Sequence, residues 1–69
     1  MANLFERRVT LSEIEKLASK AQAARQAHNY AAVAAAWRGC EVRYLTLGKK
    51  LLATNCESLA TAFAAQEQG

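Results

Sequence analysis

Proline is absent from this 69-residue chain, and glycine occurs three times. Without proline the strongest helix breaker is missing. Cysteine is limited to Cys40 and Cys56, sixteen positions apart and outside any CxxC pair. Two such residues exclude a disulfide framework, and we read both as buried apolar side chains in a reducing cytoplasm. No apolar run approaches the roughly 18 residues of a spanning helix. Arg7 and Arg8 are followed by Val9-Thr10-Leu11-Ser12-Glu13, not by the apolar stretch of an export signal.

The residues of catalysis are equally sparse. His28 is the only histidine, with no carboxylate or thiol at ligand spacing. Ser12 and Ser58 lack a motif that would supply a base, the six acidic residues are scattered, and no glycine-rich phosphate loop occurs. We therefore expect neither an enzyme nor a protein that holds a metal or cofactor.

What the chain has in abundance is alanine, sixteen residues of it, the best helix former. An apolar content of 52% with only 22% charged residues argues for a folded, all-α chain, not a disordered one. At this length it is one domain, near the size where a lone core is marginal and a partner or second copy commonly helps. Residues 1–50 carry all nine basic residues against four acids, while residues 51–69 carry only Glu57 and Glu67. The excess of five positive charges is spread over several faces, so it reads first as solubility and steering. Direct nucleic-acid binding is not the expected role.

Thr10 and Glu13 have the spacing of a capping box, with Val9 and Ile14 placed as its hydrophobic staple. This predicts a first helix over residues 10–27 behind an N-terminal arm, 1–9. Leu11, Ile14, Leu17, Ala18, Ala21 and Ala24 then recur at helical spacing. His28-Asn29 is the best break in the chain, since Asn tolerates left-handed backbone and caps a following helix. Asn29-Tyr30-x-x-Val33-x-x-x-Trp37-x-x-Cys40 resembles the turn and second helix of a tetratricopeptide-type hairpin, although a single unit excludes a solenoid.

From Tyr30 onward the seam Val33, Trp37, Cys40, Tyr44, Leu47 and Leu51 follows spacings of three and four. Leu52, Cys56, Leu59 and Phe63 continue one residue out of register. The expectation is one long helix over 30–65, about 54 Å against about 25 Å for the first. The alternative is a break near 53–55, where Thr54 and Glu57 repeat the capping-box spacing and a third helix would follow. A short helix cannot cover a long one, so Leu51, Leu52, Cys56, Leu59 and Phe63 become the expected dimer interface. Two hairpins would then form a four-helix arrangement. For a protein partner the candidates are Arg43, Tyr44, Leu47 and Lys50 along one helix edge, with Phe5, Arg7 and Arg8 in the arm. Tyr and Arg are enriched at binding hot spots.

In its length, capped short helix, His28-Asn29-Tyr30 turn and long second helix, the chain resembles a phage-encoded anti-activator of bacterial quorum sensing. The resemblance implies a cytoplasmic homodimer in a bacterial host that binds a LuxR-type transcription activator. It also implies binding to the ATPase that powers type IV pilus assembly. Small helical chaperones of type III secretion, which hold an amphipathic helix of a needle subunit in a groove, look similar in size and shape.

Overall fold

The computed structural model describes residues 3–68, which form three helices: α1 (Leu4–Gln26), α2 (Tyr30–Thr46) and α3 (Lys50–Gln68). The chain is all-α, but it is a three-helix arrangement and not a two-helix hairpin. The expected helix over 30–65 is two helices, and the four-helix dimer built from such hairpins loses its basis. The break lies at 47–49, earlier than the alternative at 53–55.

Gly48 makes that break. Its φ is +76°, a left-handed backbone that glycine adopts without a Cβ penalty. The amide of Gly48 donates to the Leu45 carbonyl and the amide of Lys49 to that of Tyr44, at 3.0 and 2.9 Å. This pair of bonds is a Schellman motif, which satisfies the last carbonyls of α2 and turns the chain back. The one-residue slip of the apolar seam between Leu51 and Leu52 marks the same reversal. Thr54 does not cap a helix; its hydroxyl donates to the Lys50 carbonyl one turn back, at 3.0 Å.

The first turn has the same construction. His28 donates from its amide to Arg25 O at 3.0 Å, and Asn29 to Ala24 O at 2.9 Å. Here the left-handed position is a non-glycine, His28, with φ +58°. Its Nδ1 lies 3.1 Å from the Tyr30 hydroxyl, and the Asn29 side chain accepts from the Ala32 amide to cap α2.

α1 begins six residues before the expected start, and the first two residues of the anticipated arm lie outside the described residues. Asn3 is the cap: its side chain accepts from the Glu6 amide at 2.8 Å, and Glu6 accepts from the Asn3 amide at 3.3 Å. Thr10, the expected cap, sits inside the helix and donates its hydroxyl to Glu6 O at 2.9 Å. Both threonines chosen as caps thus use a carbonyl four residues back, the alternative open to a threonine within a helix.

α2 is the middle element. It packs on both α1 and α3, whereas α1 and α3 make no Cα approach within 8 Å of one another among the described residues. The core between them is made of small side chains: Ala21, Ala34, Ala36, Ala53 and Ala60 are buried, and Val33 and Cys40 are the largest fully buried residues. Ile14, Cys40 and Cys56 join all three helices at one level, with Leu17, Tyr44 and Leu47 against them. At Gly39 a Cβ would stand 3.0 Å from Leu17 Cδ1, so the missing side chain lets α1 seat closely on α2.

Candidate functional site

Arg43, Tyr44, Leu47 and Lys50 do not form a shared edge. Arg43 turns toward α1, where its Nη2 donates to Glu13 Oε2 at 3.0 Å and its Nη1 to the Gly39 carbonyl at 3.1 Å. Tyr44 and Leu47 pack against the Ile14–Cys40–Cys56 cluster. Lys50 lies beyond the turn, exposed on the first residue of α3.

Phe5, Arg7 and Arg8 are all exposed, on a capped helix and not on an arm. Glu13 faces Arg43 and Ile14 faces Cys40, so the last residues of α2 lie level with about residue 9 of α1. Residues 4–8 therefore project past the end of α2. There Leu4 and Phe5 stand 67% and 74% exposed. The α2–α3 turn lies at this same end of the molecule, and it brings Lys49 and Lys50. One end thus combines four cations (Arg7, Arg8, Lys49, Lys50) with Leu4, Phe5 and Leu51, the last 84% exposed. Glu6 is the acid among them and is engaged in the cap.

The residues expected at a dimer interface do not share one face. Cys56 is buried in the chain's own core. Phe63 stacks on Tyr30 with ring centroids 6.0 Å apart and planes 24° from parallel. Leu52 and Leu59, seven residues apart, share one side of α3, while Leu51 points about a quarter-turn further outward.

Leu59 and Phe63 form one wall of a groove of about 300 Å³ between α1 and α3. Val33 and Trp37 of α2 are its floor, and Ala18, Ala21, Gln22 and Arg25 its other wall. Gln22 and Arg25 were not among the expected site residues. The signal for Arg25 is the seven-residue spacing Leu4, Leu11, Ala18, Arg25, and Gln22, four residues after Ala18, lies on the same edge of α1.

Both thiols are free and buried, and burial pushes each above its ordinary value. Cys40 Sγ makes a long, 3.8 Å contact to the Ile14 carbonyl. Among the described residues there is no cluster of three or more His, Cys, Asp or Glu that could hold a metal ion. Among them, too, no helix is long and apolar enough to cross a membrane. No protein-family model, no curated protein and no solved structure matches this chain.

Proposed function

We propose that this chain is a non-enzymatic protein-binding inhibitor, and that it docks on its partner through the basic, apolar end built from the start of α1 and the α2–α3 turn. The observation that carries this reading is the projecting first turn of α1. Leu4 and Phe5 are held in water on a capped helix, next to Arg7 and Arg8. A lone exposed leucine is unremarkable, but an exposed aromatic beside two arginines has the composition of a binding hot spot. Presenting these side chains on a formed helix lowers the ordering cost of association. The four cations favour a partner surface that is acidic around an apolar pocket.

The resemblance to a quorum-sensing anti-activator supplies the class of partner, a LuxR-type bacterial transcription activator. The pilus-assembly ATPase is a second partner of the same reading. Inhibition then consists of sequestering the activator away from its operator.

The test is a titration of the purified chain into an activator–operator complex, with DNA occupancy read by fluorescence anisotropy. Occupancy should fall as the chain is added. Phe5→Ala and the Arg7→Glu/Arg8→Glu double variant should each retain helicity and lose most of the inhibition. Unchanged occupancy at saturating chain sinks the reading. Binding of the chain itself to DNA, weakening steeply with added salt, would replace it with nucleic-acid recognition.

A further inference from the structure

Along α1 one line of residues turns toward the other helices: Ile14, Ala18, Ala21 and Arg25, at spacings of four, three and four. Ile14 is long enough to reach the shared core, where it packs with Cys40 and Cys56. Ala18 and Ala21 end at Cβ. Because α1 and α3 make no Cα approach within 8 Å among the described residues, two alanines cannot bridge to Leu59 and Phe63 on the far wall. The groove of about 300 Å³ is the space they leave. The surface depressions at residues 18–26, 48–52 and 54–62 are each lined by one helix or one turn, whereas this groove is lined by all three helices.

Its two ends differ in chemistry. The Ile14–Cys40–Cys56 cluster closes one end with apolar side chains. At the other, beside the α1–α2 turn, Phe63 stacks on Tyr30 and Arg25 stands exposed at the rim. Arg25 is the charged residue of the lining, and among the described residues its side chain has no ion-pair partner. Glu67, one turn beyond Phe63 on α3, does not pair with it. An apolar slot with a few polar groups at one end, in the lower part of the roughly 300–1,000 Å³ range, has the form of a small-ligand site. From Ala18 to Arg25 the α1 wall runs about 10 Å, the length of a straight chain of about eight carbons.

We propose that the groove binds a medium-chain alkyl carboxylate, its chain lying over Val33 and Trp37 and its carboxylate pairing with Arg25. A guanidinium serves both carboxylate oxygens through two parallel N–H donors, and Gln22 beside it adds an amide donor. The chain would cover apolar surface that water now reaches, on half-buried Trp37 and Phe63 and on exposed Leu59. The cationic rim favours an anionic head over a neutral or positive one of equal length. This rim lies at the opposite end of the molecule from the basic end assigned to partner binding, so either assignment stands or falls without the other.

Trp37, the single tryptophan, lies in the groove floor and reports its occupancy. Octanoate titrated into the full chain should move Trp37 emission to the blue along a saturable one-site curve, with the helical circular-dichroism signal unchanged. Octanol, which has the same chain and no charge, should bind about fivefold more weakly. Hexanoate, with two fewer methylenes to bury, should bind about tenfold more weakly. Arg25→Gln should raise the octanoate dissociation constant about fivefold and leave that of octanol unchanged. Lys16→Gln removes the same charge from the opposite side of α1 and should change neither. Ala18→Leu fills the slot and should abolish the emission shift. If that variant loses its helical signal, the comparison of Arg25→Gln with Lys16→Gln decides the question. Emission that changes without saturating, or not at all, overturns the proposal. Equal binding of octanol and octanoate overturns it as well, as does a Lys16→Gln variant that weakens octanoate as much as Arg25→Gln.

Discussion

Arg43 and Glu13, thirty positions apart in sequence, are joined by two hydrogen bonds to one carboxylate oxygen, at 3.3 Å from Nε and 3.0 Å from Nη2. The same guanidinium holds the Gly39 carbonyl, so Arg43 ties α1 to the turn of α2 whose missing side chain at Gly39 admits Leu17. The side chains remain 33% and 44% exposed, so water screens the pair and its worth is at most about 1 kcal/mol. Arg43→Ala should lower stability by that order. Arg43→Glu should lower it further, through repulsion with Glu13, and adding Glu13→Ala should recover part of the loss. A urea-denaturation cycle over these variants measures the coupling. A coupling of zero would show that the pair contributes nothing.

The two Schellman turns respond oppositely to substitution. Gly48→Ala places a Cβ on left-handed backbone and should destabilise by about 1–2 kcal/mol, although nothing crowds the site. His28→Gly removes that same penalty, against loss of the contact to Tyr30, and should be neutral or stabilising by up to about 1 kcal/mol. Thermal melts of the two variants check the pair of signs.

Helix capping separates Asn3 from Thr10. Asn3→Ala removes the side-chain acceptor for the Glu6 amide and should cost about 1 kcal/mol. Thr10→Ala removes only a back-bond within a helix and adds helix propensity, so it should lie within about 0.5 kcal/mol of wild type. If Thr10→Ala proves the more damaging of the two, α1 begins at residue 10 in solution.

Stability should fall on the alkaline side. Burial raises Cys40 above the ordinary thiol value of 9.0, with Arg43 opposing. Burial also raises Cys56 above 9.0, assisted by Cys40 and Glu41. Tyr44 is raised above 10.0 by burial, then by the two thiols. Well below pH 9 these groups are protonated in both folded and unfolded chains and contribute no pH dependence. As pH rises past 9 the unfolded chain releases protons that the folded chain keeps, so stability declines toward the folded-state values. Melting temperatures from neutral pH to about pH 11 should trace this decline, and Cys40→Ala/Cys56→Ala should flatten it from a lower starting point. The thiols should also react with a thiol reagent only as fast as the chain opens.

All-helical character and the first turn could be read directly from residues, because both depend on local chemistry. Sixteen alanines without a proline favour helix wherever the chain lies. His28-Asn29 offers a left-handed position and a cap within two residues, and the structure uses both. The reversal at Gly48 was harder to read, since one glycine inside a helical pattern costs only about 1 kcal/mol and the seam on either side keeps helical spacing. Among the sites, the sequence leaves Phe5 equally open to packing on the hairpin, and only the structure shows it exposed beside Arg7 and Arg8, while Arg43 and Tyr44, adjacent in sequence, face different neighbours.

Sequence alone thus determined helix content, the presence of a turn at 28–29, and two cysteines suited to burial, because each follows from a residue's own propensity or its nearest neighbours. Only tertiary structure decided that the apolar seam folds back at Gly48, that Glu13 serves Arg43 and not a cap, and that α2 is the middle element, with α1 and α3 meeting only through side chains of the shared core. Those outcomes depend on which helix faces which. A periodic pattern identifies the apolar stripe of each helix, but the partner of that stripe is selected by packing across the whole fold.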